Sequence, residues 1–112
     1  MAGKFELKAS KNGQFVFNLK ASNGEIILTS EMYKSKSGAK NGIKSVMVNA
    51  KDSANFKTLT AKNGEPYFVL RAGNNQVIGK SEMYSSPKAL ENGIDSVKKN
   101  APGAAVDDLT KA

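Results

Sequence analysis

Ser30-Glu31-Met32-Tyr33 returns as Ser81-Glu82-Met83-Tyr84, and Glu31 and Glu82 are the only carboxylates that recur at matching places in the two halves of the chain. A carboxylate two residues from a tyrosine can move a proton, so Glu31 and Glu82 with Tyr33 and Tyr84 are the first candidates for acid or base work. Such work needs a nucleophile or a metal at hand, and neither stands in the motif. The opposing reading is structural. A glutamate just ahead of a helix complements the positive end of its dipole, while Met and Tyr pack beneath the helix start. The structural reading is the stronger, so no catalytic residue is assigned and a non-enzymatic role is expected.

Absences narrow the chemistry further. The chain has no histidine and no cysteine. That excludes a Ser-His-Asp triad, a thiol protease, and the imidazole and thiolate zinc sites; no metal or cofactor is expected. The "KNG" and "NNQ" stretches lack the glycine spacing and the following Lys-Ser/Thr of a phosphate loop. With 112 residues, 39% hydrophobic and 24% charged, the composition is that of one ordinary globular domain. No run approaches the roughly 20 apolar residues of a membrane span. The opening Met1-Ala2-Gly3-Lys4-Phe5-Glu6 lacks a secretory apolar core, so a cytoplasmic setting is expected. The formal charge of +7 serves either attraction to a polyanion or solubility.

The elements that must position these residues come in duplicate. Shifting the sequence by 51 positions, without a gap, aligns Phe5 with Phe56, Lys11-Asn12-Gly13 with Lys62-Asn63-Gly64, Phe17 with Phe68 and Leu19 with Leu70. The same shift aligns the Ser-Glu-Met-Tyr motifs, and Asn41-Gly42-Ile43 with Asn92-Gly93-Ile94. This is a tandem duplication. Each copy reads as strand, Asn-Gly turn, alternating strand, second turn, short strand, linker and helix. Pro66 lacks an amide hydrogen and belongs at a strand start or an edge. Ser86-Pro87, with Ser35 as counterpart, marks a helix start, and Pro102 stops the second helix. The expected layout is one domain over residues 1–101, with repeats at about 4–50 and 55–101 and a flexible tail at 102–112.

Six strands and two helices give an α+β fold: two β-β-β-α repeats forming one antiparallel sheet with both helices packed on one face. The expected core on the sheet side is Phe5, Leu7, Phe15, Phe17, Leu19, Ile27, Phe56, Phe68, Leu70 and Ile78. Gly42 lies on the same helical face as Ala39, Ile43 and Val46. A glycine there costs about 1 kcal/mol against alanine, so Gly42 and Gly93 are expected where another element comes close.

Two surfaces remain as binding candidates. Asn41, Ser45 and Asn49 form a stripe opposite the helix core, repeated as Asn92, Ser96 and Asn100. It is either a partner surface or a set of local backbone bonds. The uncovered sheet face presents Val16, Asn18 and Lys20 from one copy and Tyr67, Val69 and Arg71 from the other, with Lys8 and Lys57 nearby. Lys20, Tyr67 and Arg71 are its candidate contacts. The leading reading is a small interaction module for a protein partner. The alternative is weak single-stranded nucleic-acid binding, in which an aromatic stacks a base and cations hold phosphates.

The duplicated order of Asn-Gly turn, Phe-x-Leu-[Lys/Arg]-Ala strand, Ser-Glu-Met-Tyr linker and Asn-Gly-Ile-x-Ser-Val helix resembles the YegP-like family of small bacterial proteins of unknown function. The resemblance spans roughly Gly3 to Ala101. It implies a β-β-β-α repeat with a shared antiparallel sheet, and a bacterial cytoplasmic protein. It supplies no catalytic residues.

Overall fold

The computed structural model describes residues 3–10 and 12–110. In chain order the elements are β1 (Lys4–Ala9), β2 (Phe15–Lys20), β3 (Ile26–Thr29), α1 (Lys36–Asn49), β4 (Phe56–Thr60), β5 (Pro66–Arg71), β6 (Val77–Lys80), α2 (Pro87–Asn100) and β7 (Ala105–Asp108). Among the described residues all strands join one seven-stranded sheet in the order β4-β5-β6-β3-β2-β1-β7.

Local signals place the elements. In the hairpin between β4 and β5, the side-chain oxygen of Asn63 accepts the Glu65 amide at 3.0 Å while Gly64 takes φ of 86°. Ser35 and Ser86 cap their helices, accepting from the amides of Gly38 at 3.0 Å and Ala89 at 3.1 Å. Pro87 fills the first helical turn, where a missing N–H is no loss.

The two halves meet at β3 and β6, where Thr29 pairs with Lys80. Those positions lie 51 apart in the sequence, so a pseudo-twofold axis passes between them. Beside the axis, Leu28 and its counterpart Gly79 share one space. A Cβ on Gly79 would stand 2.6 Å from a Leu28 methyl carbon. The interface has room for one leucine, and the second copy gives way.

A register shift after Leu19 leaves Ile27 as the extra residue opposite β2, and a shift after Leu70 does the same for Ile78. Ile27 and Leu28 are therefore both buried, which strict alternation does not allow. Leu28 joins the core for this reason. Phe5, Leu7, Phe17, Leu19, Phe68 and Leu70 are fully buried on the helix-covered face, against Ala39, Ile43 and Val46 of α1 and Leu90 and Val97 of α2. Phe15 and Phe56, also expected in the core, are only partly buried and pack on its rim. α1 packs on β2 and reaches β5 and β6, while α2 packs on β5 and reaches β3, so each helix ties both repeats together.

Residues 105–108 correct the expectation of a flexible tail over 102–112, of which 111 and 112 lie outside the described residues, and the strand count with it. Ala105–Asp108 forms β7, parallel to β1, with Phe5 opposite Val106 and Leu7 opposite Asp108. The Leu109 amide donates to the Leu7 carbonyl at 2.8 Å. Asp108 meets Lys36 of α1 at 2.7 Å, and Asp107 meets Lys4 at 3.6 Å. Four residues with two aspartates carry little strand signal, and their cationic partners lie far upstream in the chain. The β1–β7 pair is the parallel one in an otherwise antiparallel sheet.

Candidate functional site

Strand alternation turns Lys4, Glu6, Lys8, Val16, Asn18, Lys20 and Thr29 of the first repeat to the face away from the helices. Asn18 lies between Glu6 and Thr29 in the ladder, donating its side-chain amide to the Thr29 hydroxyl at 2.9 Å. Glu6 is only 8% exposed and is ringed by cations: Lys20 at 3.1 Å, Lys4 at 3.5 Å and Lys8 at 3.9 Å. The bond from Lys20 holds its carboxyl below the usual range, against the opposing pull of burial. In this half Glu6 cancels the charge of Lys20, and Lys4 also meets Asp107.

The second repeat builds the same cross from different residues. Val69, 6% exposed, lies between Lys57 and Lys80 in the ladder and between Tyr67 and Arg71 along β5. Lys57 stands where Glu6 stands in the first repeat, and Lys80 where Thr29 stands. Among the described residues, Lys57, Arg71 and Lys80 have no carboxylate within ion-pair distance. The Lys80 ammonium lies 5.0 Å from the centre of the Tyr67 ring. The result is an apolar centre with an aromatic flank and three cations awaiting negative charge.

Of the expected contacts, Tyr67 and Arg71 fall together in this patch, whereas Lys20 is tied to Glu6 in the other half. Lys80 was not among the expected contacts because its place opposite Val69 is set by the pairing of β5 with β6. Its signal was the 51-residue correspondence, which sets Lys80 across from Thr29.

The helix stripes divide differently. Asn49 donates its side-chain amide to the Ser45 carbonyl at 2.8 Å and hydroxyl at 3.1 Å, and Asn100 does the same to Ser96 at 2.8 and 3.2 Å. Asn55 then donates to the Asn49 carbonyl at 3.0 Å. Ser45 and Ser96 therefore serve the last helical turns. Asn41 and Asn92 stay exposed on the outer helix faces, apart from the sheet patch.

In the Ser-Glu-Met-Tyr motifs the structural work falls to the first and last residues. Ser30 accepts the Phe17 amide at 2.9 Å and donates to the Glu31 carbonyl at 2.7 Å; Ser81 repeats this with Phe68 and Glu82 at 2.9 and 2.8 Å. Tyr33 exchanges two backbone bonds with Phe15, both 2.7 Å; Tyr84 keeps one, at 2.8 Å, because Pro66 has no amide hydrogen. Tyr33 and Tyr84 stack on Phe17 and Phe68 with ring centres 6.1 Å apart. Burial, and then the negative charge of Glu31 or Glu82, pushes both phenols above their ordinary range, which keeps them protonated. Glu31, Met32, Glu82 and Met83 are exposed, so the methionines do not pack beneath the helix starts as expected.

Comparison with known proteins repeats the duplication. The family model described as "Domain of unknown function (DUF1508)" matches residues 10–56 and again 61–108, the second match running through β7. A UPF0339 protein of Bordetella pertussis is 58% identical over 112 residues, covering all of both chains. The UPF0339 protein YegP of Yersinia pestis is 56% identical over 108 residues, 96% of each. Two solution NMR structures share the fold. The UPF0339 protein SO3888 of Shewanella oneidensis has a TM-score of 0.92 at 54% identity, covering 98% of this chain and 93% of its own. The protein of unknown function yegP from E. coli has a TM-score of 0.94 at 49% identity, covering 100% and 97%.

Proposed function

This chain belongs to the DUF1508 family, as a two-repeat UPF0339 member, and from that premise we propose a non-enzymatic binding module that takes an acidic protein segment on the open sheet face of its second repeat. The observation that carries the reading is the contrast between two equivalent crosses of residues. In one, Glu6 and Lys20 cancel in an ion pair of 3.1 Å; in the other, their counterparts Lys57 and Arg71 are both cations and, with Lys80, have no carboxylate within ion-pair distance among the described residues. Charge complementarity selects a partner of opposite sign, and the partly exposed Tyr67 ring beside Lys80 adds an aromatic contact. The proposal sets the module in the cytoplasm. No helix of the described residues is long and apolar enough to cross a membrane.

The non-enzymatic part of the proposal draws support from the motif that first suggested chemistry. Tyr33 and Tyr84 are held protonated in packing contacts, and Glu31 and Glu82 stand exposed beside them.

The test is an affinity measurement with an unstructured Asp/Glu-rich peptide at low and high salt. Saturable, salt-sensitive binding that is lost in Lys57→Glu/Arg71→Glu supports the reading; binding unchanged in that variant rejects it. Tyr67 favours one second reading, a single-stranded nucleic acid whose base stacks on the ring. An oligonucleotide that binds more tightly than the acidic peptide, and loses affinity on Tyr67→Ala, would put that reading first.

A further inference from the structure

The duplication leaves one strand position filled in the first half and vacant in the second. β7 lies outside β1, beneath the overhang of α1, where Lys40, Ile43, Lys44 and Met47 face Val106 and Asp108 across a groove of about 410 Å³. The counterpart of β1 is β4, which ends the sheet with no strand outside it among the described residues. Under β7, Phe5 is 0% and Ile43 2% exposed, whereas their counterparts Phe56 and Ile94 are each only partly buried. The Leu7 carbonyl receives the Leu109 amide, and by the same register the Thr58 carbonyl points out of the sheet toward the vacant position.

The chemistry around the vacancy differs in sign from its filled counterpart. α1 presents Lys36, Lys40 and Lys44 toward the acidic β7, with Lys36 bound to Asp108. At the corresponding positions α2 carries Pro87, Glu91 and Asp95. The contact of Lys98 with Ser53, in the connector just before β4, places α2 over this edge. A second copy's β7 would lose the Lys36 cation and meet two carboxylates, while Lys98, at the place of Met47, is turned to Ser53.

We propose that the outer edge of β4 is a strand-addition site for a basic extended segment of a partner protein, entering parallel to β4 as β7 lies against β1. Such a segment sets an apolar residue at the place of Val106, covering Phe56 and Ile94. It sets Lys or Arg at the place of Asp108, toward Glu91 and Asp95. Main-chain bonds to β4 supply the general attraction and α2 supplies the choice of charge.

The test uses the full chain and two synthetic peptides: the β7 sequence Ala-Ala-Val-Asp-Asp-Leu-Thr, and the same peptide with the Asp108→Lys change. Amide resonances of Thr58 and Ile94 are followed by NMR. The Lys-bearing peptide should move both saturably and bind at least about tenfold more tightly than the native β7 sequence. Glu91→Lys/Asp95→Lys, which gives α2 the charges of α1 at exposed positions, should reverse that order. Resonances of Thr58 and Ile94 that stay still with the Lys-bearing peptide, equal response to both peptides, or an order unchanged in the variant would overturn the proposal.

Discussion

The ring of Tyr84 rests on Gly93, so close that a Cβ there would stand 2.5 Å from the phenol Cζ; Tyr33 meets Gly42 in the same way, at 2.7 Å. This contact joins the two most distinctive motifs of the repeat. The tyrosine of Ser-Glu-Met-Tyr is sandwiched between a phenylalanine of the central hairpin strand and the helix backbone. Glycine is the residue that leaves space for it.

Gly93→Ala and Gly42→Ala should therefore destabilise, although alanine is the better helix former by about 1 kcal/mol. Overpacking of this kind costs roughly 1–3 kcal/mol. Urea titration should show a net loss in each variant, and Tyr84→Leu should recover part of the Gly93→Ala loss as non-additivity in a double-mutant cycle. A gain in stability from either alanine would contradict the contact.

Leu28 and Gly79 make a second prediction because they share one space at the pseudo-twofold axis. Leu28→Ala should cost about 2–5 kcal/mol by leaving a cavity, and Gly79→Leu should destabilise by crowding. The exchange Leu28→Gly with Gly79→Leu restores one leucine to the axis. Its measured unfolding free energy should lie above that of either Leu28→Gly or Gly79→Leu alone.

Ser30 and Ser81 each satisfy a buried strand amide and a linker carbonyl. Replacement by alanine strands the Phe17 or Phe68 amide, a loss of about 1–3 kcal/mol by the cost of an unpaired buried donor. Thermal melts of Ser30→Ala and Ser81→Ala should fall by similar amounts, since the two sites are alike.

Acid should loosen β7. Asp108 is held far below the usual carboxylate range, first by Lys36 and then by Thr110, and Glu6 is lowered first by Lys20. A carboxyl depressed in the folded state adds stability that is complete above its unfolded pKa, about 4, and disappears as pH falls through the folded value. Resonances of Val106 and Leu109 should hold steady from neutral pH to about 4 and move below it. Asp108→Asn should show faster exchange of the Leu109 amide already at neutral pH.

Much of this architecture is legible in the sequence because its signals are local. Asn-Gly turns, alternating Phe-x-Leu strands and Ser caps each act within a few residues, and the 51-residue repeat states every one of them twice. The core-facing glycines were readable from the helical wheel, although their partner, a tyrosine nine residues upstream, was not. What escaped depends on distant pairing. β7 is fixed by Lys4 and Lys36, and the neutralisation of Lys20 by Glu6 requires two strands to be in register. The same reason hid Lys80, and with it the difference in charge between the two halves of the open face.

An acidic partner is expected to choose the second repeat over the first. A residue-resolved NMR titration of the intact chain with an Asp/Glu-rich peptide addresses it directly. Amide shifts should cluster at Lys57, Val69, Arg71 and Lys80 while Glu6 and Asn18 stay still; shifts centred on β1–β3 or on the helices would contradict it.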